Sequence, residues 1–219
     1  MPTVKLSYFD IQGRAEIIRI LLHAGNIDFE DQRIPFDGWP DHNLGMFPAG
    51  SVPVLYWDGE ELLESMAITR FVAMKAGLAG KTDLQFTQAD MILEHCNDFT
   101  NKWVPRLRWT NTQEDREKGA NEMLFNSLPT WLTQTEALLK KRGGKWFAGS
   151  MITFGDIAVM VLLDCLMAAE EMCFKDMANK GERRKMLETF PLLIDHYQRT
   201  CALPAVANYR KKRPAFTGY

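Results

Sequence analysis

Apolar and polar residues alternate from Thr3 to Phe9, the two-residue period of a strand with one buried face. Beyond a short turn, Ile17, Ile18, Leu21 and Leu22 fall on one stripe of a helix predicted from Ala15 to Ala24. Phe29 to Ile34 reads as a second strand. Asp37-Gly38-Trp39-Pro40 then breaks the chain, and a polar stretch with Asn43 and Gly45 leads to a third strand, Val52-Pro53-Val54-Leu55-Tyr56-Trp57. Asp58-Gly59 is a two-residue hairpin signal, which makes Glu60 to Leu63 the antiparallel partner. Ser65 is expected to cap a helix that carries Ile68, Phe71 and Val72.

This β-α-β unit, a loop crossing and a β-β-α unit predict one mixed sheet in an α/β domain of the thioredoxin-like kind. From about residue 85 the period changes and no strand is evident. Ala89, Ile92, Leu93, Cys96, Phe99 and Trp103 recur at helical spacing, as do Met123, Leu124, Leu128, Trp131, Leu132, Thr135, Leu138 and Leu139. Pro129, inside the second of these runs, is expected to kink a long helix because it lacks a backbone donor. The expected organisation is a thioredoxin-like domain over residues 1–77, a glycine-containing linker over 78–84 and an all-α domain over 85–219. Thr153 and Asp156 have the spacing of a capping box, with Ile152 and Ile157 placed as its hydrophobic staple. Their expected role is in folding, at about 1 kcal/mol or more for Asp156→Ala.

Composition narrows the function. The 219 residues, 46% of them apolar, suffice for a large core, while a net charge of -2 supplies no basic excess for nucleic acid. The first residues run straight into a strand with no signal-peptide core, and Ile157 to Ala169, broken by Asp164, falls short of the roughly 20 residues of a membrane span. Cys96, Cys165, Cys173 and Cys201 lack C-x-x-C spacing and lie in helical segments, which reads as reduced, buried thiols in a cytoplasmic protein.

One arrangement suggests chemistry: Tyr8 ends the first strand, and Gly13-Arg14-Ala15-Glu16 turns into the helix behind it, so a phenol stands beside a helix N-terminus and a cation. Alone, such a tyrosine is a core aromatic and such an arginine a surface charge. Together with Trp39-Pro40, Ser51-Val52-Pro53-Val54-Leu55, Glu64-Ser65-Met66-Ala67-Ile68, the Thr153 and Asp156 pair and the ending Leu203 to Pro214, the chain resembles a cytosolic glutathione transferase over its whole length. Within that family it is most similar to the sigma class, which includes haematopoietic-type prostaglandin D synthases, invertebrate transferases and the S-crystallins.

The resemblance implies an enzyme that adds glutathione to small hydrophobic electrophiles, with glutathione as co-substrate and no cofactor. Tyr8 then carries the catalytic hydroxyl and Arg14 supports it. A free thiol has a pKa near 8.5, so lowering it by about two units takes roughly 2.7 kcal/mol, within reach of a charge-assisted hydrogen bond plus a nearby cation. By the same resemblance the Val52–Pro53 bond is cis and Val52 offers its backbone to the cysteinyl unit; Glu64 and Ser65 receive the γ-glutamyl end; Trp39 contacts the cysteinyl-glycine part; and Asp98 reaches the neighbouring site of a homodimer. Asn43 and Ser51 stand where lysines are common near the glycine carboxylate, and Glu64 stands where glutamine is usual. Ala49 replaces the aromatic key of other classes, which implies a polar dimer. Glu94 and Asn97 replace two acidic metal positions, so no metal is expected. The electrophile is expected between Phe9, Gly13, Trp103 and Arg106, with Tyr209 closing the pocket. Arg106 replaces an aromatic residue of the prostaglandin synthases. Glutathione-dependent isomerisation of prostaglandin H to D and a non-catalytic role of S-crystallin type are the alternatives. Thiol–disulfide exchange is disfavoured, since no cysteine lies at the first strand–helix turn.

Overall fold

The alternating segment folds as β1 (Val4–Phe9), the central element of a four-stranded sheet with order β2-β1-β3-β4. The computed structural model describes residues 2–35, 47, 50–108, 112–172 and 181–214. Two compact units emerge, one holding the chain up to Ala79 together with the chain from Pro204 onward, the other Gly80–Leu203.

In the first unit, β1 runs parallel to β2 (Glu30–Ile34) and antiparallel to β3 (Val54–Trp57), which pairs antiparallel with β4 (Glu60–Leu62). A single 3-10 turn at Gly13–Ala15 feeds α1 (Glu16–Ala24), the parallel crossover, and α2 (Ser65–Lys75) follows β4. The hairpin turn takes positive φ at both central residues, 52° at Asp58 and 90° at Gly59, as a two-residue loop requires. The Asp58 carboxylate further accepts the Thr3 N–H at 2.9 Å. Leu6, Val54 and Leu55 of the sheet and Ile18, Leu21, Leu22, Ile68 and Val72 of the helices are fully buried. Each contributes on the order of 1.5–3 kcal/mol from apolar burial.

Three expectations are corrected here. Ser65 is the first residue of α2 rather than its cap: Glu64 holds the capping position at φ 66°, with no side-chain cap bond, and its carbonyl accepts the Ile68 N–H at 2.9 Å. Pro129 does not kink a long helix, because the run is already interrupted: α4 (Gln113–Glu122) passes into a π-helical turn at Met123–Ser127, and Pro129 sits in the first turn of α5 (Leu128–Lys141), where its missing donor costs nothing. The last helix, α9 (Pro204–Lys212), groups with the sheet unit and not with the other helices. It packs on α1, where Tyr209 stacks on His23 with ring centroids 4.7 Å apart.

The second unit is built on α3 (Asp83–Arg108) and α6 (Phe154–Met172), with α7 (Glu182–Glu188) and α8 (Pro191–Cys201). A Cβ on Gly155 would lie 2.7 Å from the Ala89 carbonyl oxygen, so α6 meets the backbone of α3 only because residue 155 has no side chain. The start of α6 is fixed by Asp156, fully buried, which accepts from Thr153 N at 2.7 Å, Thr153 Oγ1 at 2.9 Å and Phe147 N at 3.0 Å. His196 Nε2 of α8 lies 2.9 Å from the same carboxylate. The pair read as a cap thus also ties α6 to α8 and to the segment before it.

Candidate active site

The sheet register assembles the candidate site. Ser7 pairs with Val54 and Leu55 with Leu62. Continued past the strand ends, these registers set Tyr8 opposite Pro53 and Pro53 opposite Glu64. The end of β1, the start of β3 and the β4–α2 corner therefore meet at one end of the sheet. The Val52–Pro53 bond is cis. Phe47 packs with Ile34 and Val54, against which Val52 and Leu63 also lie, and so anchors the approach to β3.

Tyr8 is buried, and its Oη accepts the backbone N–H of Arg14 at 3.1 Å. An oxygen that accepts a hydrogen bond is polarised into a better donor of its own proton. Gly13 makes this approach feasible. Its φ is +42°, and a Cβ there would stand 2.5 Å from Tyr8 Oη and 2.9 Å from Cε1. The Arg14 side chain is exposed at this corner. Ser65 is buried while Ser51 and Glu64 are exposed. The first-turn N–H groups of α2 at Ser65 and Met66 have no acceptor within their own helix, as at any helix start, and the helix dipole there favours a carboxylate.

Trp39, Asn43 and Ala49 lie outside the described residues. Asp98 is on α3 in the helical unit, exposed at the rim of a cleft of about 310 Å³ between α3 and α5 that His95, Lys102, Trp103 and Trp131 also line. Burial of the His95 ring lowers its pKa, with Asp98 acting in the opposite direction. Trp103 is buried, with Lys102 Nζ 5.0 Å and Arg106 Cζ 5.2 Å from its ring centroid. Arg106 also pairs with Glu122 of α4 at 3.5 Å. Trp103 and Arg106 belong to the helical unit; Phe9, Gly13 and Tyr209 belong to the sheet unit. Tyr209 donates its hydroxyl to Glu16 Oε2 at 2.9 Å, and burial first, then the Glu16 charge, drives its pKa up. Cys96 is fully buried, which holds its thiol protonated and unreactive. Among the described residues, no three His, Cys, Asp or Glu side chains are grouped as metal ligands, and no helix is long and apolar enough to cross a membrane.

Sequence reasoning passed over Arg19. It lies in α1 with no exposed surface, three residues after an equally buried Glu16. The signal was present: two opposite charges at i and i+3 inside a run of isoleucines and leucines that leaves them no polar face.

Compared with known families, residues 4–74 match the N-terminal domain of glutathione S-transferase and residues 97–213 its C-terminal domain. The chain is 34% identical to hematopoietic prostaglandin D synthase of Gallus gallus over 215 residues, 98% of each chain. It is 33% identical to glutathione S-transferase 1 of Ascaris suum over 190 residues, 86% of this chain and 90% of the relative. Among solved structures, rat hPGDS complexed with a quinoline superimposes with a TM-score of 0.83 at 30% identity, covering 97% of this chain and 98% of the other. With these matches over a thioredoxin-like sheet and a helical domain, the chain belongs to the glutathione S-transferase family. It is a transferase of that family.

Proposed function

We propose that the protein adds reduced glutathione to electrophiles through a thiolate held by Tyr8. The observation that carries this reading is the Tyr8 hydroxyl, polarised by the Arg14 N–H at 3.1 Å at the end of the sheet where Pro53 and Glu64 also converge. Glutathione lies along that end. Its cysteinyl backbone pairs with Val52 beside Pro53, its γ-glutamyl carboxylate meets the first N–H groups of α2 at Ser65, and Glu64 accepts from its α-ammonium. Trp39 contacts the cysteinyl-glycine unit, and Asn43 and Ser51 attend the glycine carboxylate. The thiol loses its proton to solvent and Tyr8 donates O–H to the sulfur anion, with the Arg14 charge in support. A hydrogen bond to a charged group is worth roughly 1.5–3 kcal/mol. That covers most of the roughly 2.7 kcal/mol needed for two pK units. The sulfur then forms a bond to an electrophilic carbon as a leaving group departs with its electron pair, or as the conjugated carbanion takes a proton. Holding both reactants together supplies much of the remaining acceleration.

Phe9, Gly13, Trp103, Arg106 and Tyr209 are assigned to the electrophile. Asp98 is assigned to the partner's γ-glutamyl ammonium in a homodimer, and the protein to the cytoplasm, where a buried thiol such as Cys96 stays reduced. A second reading, isomerisation of a prostaglandin endoperoxide by a thiolate that attacks the peroxide and is regenerated, is favoured by the 34% identity to a prostaglandin D synthase. Conjugation of 1-chloro-2,4-dinitrobenzene, conversion of prostaglandin H and a thermal-shift titration with glutathione and S-hexylglutathione test the proposal together. A native-state ligand raises stability by mass action. Ligand-induced stabilisation with conjugation supports the first reading, stabilisation with isomerisation alone supports the second, and stabilisation with neither activity supports a non-catalytic carrier.

A further inference from the structure

Glu16 and Arg19 are two charges in the interior of an apolar helix, and their partners explain why they are there. Arg19 is directed at the loop between β1 and the Gly13 turn. Its Nη1 donates to the Ile11 carbonyl at 2.7 Å and to that of Gln12 at 3.5 Å, and its Nη2 donates to the Phe9 carbonyl at 3.3 Å. These acceptors bracket the segment that sets Tyr8 against Gly13 and Arg14. The guanidinium carbon itself stands 5.8 Å from the Tyr8 ring centroid. The loop's own buried side chain does not substitute for this anchor, because Gln12 Oε1 is buried without a hydrogen-bond partner.

Arg19 is in turn held by acids. Its Nε donates to Asp31 Oδ1 at 3.0 Å, and Glu16 Oε2 lies 4.0 Å from Nη1. Asp31 also receives Arg33, whose Nη1 reaches Asp10 in the same loop at 3.0 Å. Glu16 is held from the far end of the chain: Arg213 Nη1 donates to its Oε1 at 2.5 Å, across 197 positions, and the Tyr209 hydroxyl donates to its Oε2. A buried carboxylate shared by two arginines and a phenol neutralises Arg19 and fixes where its donors point.

We infer that Arg19 is a positioning residue for the thiolate site and that α9 and the Arg213 that follows it, through Arg213, Tyr209 and Glu16, set its orientation. This rests on the proposed glutathione chemistry. Arg19 touches no reactant; it holds the carbonyls of the catalytic loop so that the Arg14 N–H reaches Tyr8. The relay lies entirely within the sheet unit, so it needs no movement of the helical unit.

The test is the ionisation of bound glutathione, followed by the ultraviolet absorbance of the thiolate across pH without electrophile, alongside glutathione affinity, kcat and circular dichroism. Arg19→Met keeps the bulk of the side chain and removes its donors. The expected result is a bound-thiol pKa raised by about one unit and a kcat lowered about three-fold at neutral pH and by up to about ten-fold well below the wild-type pKa, with glutathione affinity within about three-fold of wild type. Arg19→Lys restores part of the shift. Arg213→Met, which acts only at the far end of the relay, moves the thiol pKa in the same direction by a smaller amount, and it reads the proposal where Arg19→Met fails to fold. An unchanged thiol pKa in folded Arg19→Met, or in Arg213→Met where only that variant folds, overturns the inference. So does a loss of affinity and stability with no pKa shift. Absence of any thiolate on the wild-type protein at neutral pH overturns the underlying reading instead.

Discussion

Gly13 lies against the phenol of Tyr8 so closely that a methyl group on its α-carbon would stand 2.5 Å from the hydroxyl oxygen. The positive φ of 42° at Gly13 and the hydrogen bond from the next residue, Arg14, to that oxygen form one arrangement. Gly13→Ala must therefore push the ring or unwind the turn. The expected outcome is a loss of ten-fold or more in conjugation rate, together with a lowered melting temperature from left-handed strain on the order of 1–2 kcal/mol. Steady-state kinetics and a melting curve on the same preparation check both. Full activity in the alanine variant would show that the hydroxyl position is not critical.

Asp156 predicts a larger penalty than its spacing in the sequence suggested. Removing its carboxylate leaves Phe147 N, Thr153 N, Thr153 Oγ1 and His196 without their common buried acceptor. Asp156→Ala is expected to cost about 3–5 kcal/mol, as for a broken buried pair, rather than the roughly 1 kcal/mol of a surface cap. Urea unfolding measures it, and glutathione affinity of the folded protein should change little.

Stability should fall as pH drops below about 6.5, the ordinary histidine value. Burial lowers the pKa of both His23 and His95, against the opposing pull of Asp31 and Glu16 on the first and of the Trp131 hydrogen bond and Asp98 on the second; Lys212 adds to the lowering at His23. In that window the unfolded chain binds more protons than the native state, so the free energy of unfolding decreases with falling pH and is flat above it. His95→Gln should flatten part of this slope in the window that opens below about pH 6.5. Urea midpoints measured across the range decide it, and an unchanged slope would remove His95 from the effect.

Much of this was legible locally. Strand alternation and the Asp58-Gly59 turn report on neighbours in the chain, and β1, β2 and the hairpin stand within a residue or two of where the pattern put them. The contact between Tyr8 and Arg14 was legible because their spacing across one turn is itself the geometry. Other features depend on distant partners and leave no local trace. Glu64 takes the capping conformation that serine chemistry assigned to Ser65. Arg213 meets Glu16 across nearly the whole chain and draws the last helix to the sheet unit. The π-helical turn at Met123–Ser127 keeps an apolar period that mimics one continuous helix, and the polar α4 before it shows no apolar stripe to find.

The most direct measurement is the pH titration of glutathione bound to the wild-type protein and to Tyr8→Phe, read by thiolate absorbance with turnover measured in parallel. The account predicts that the wild type ionises the bound thiol about two pK units below its free value. Tyr8→Phe should return that value most of the way and lower turnover ten-fold or more, with little change in glutathione affinity. A bound thiol that titrates identically in both proteins, with equal turnover, contradicts it.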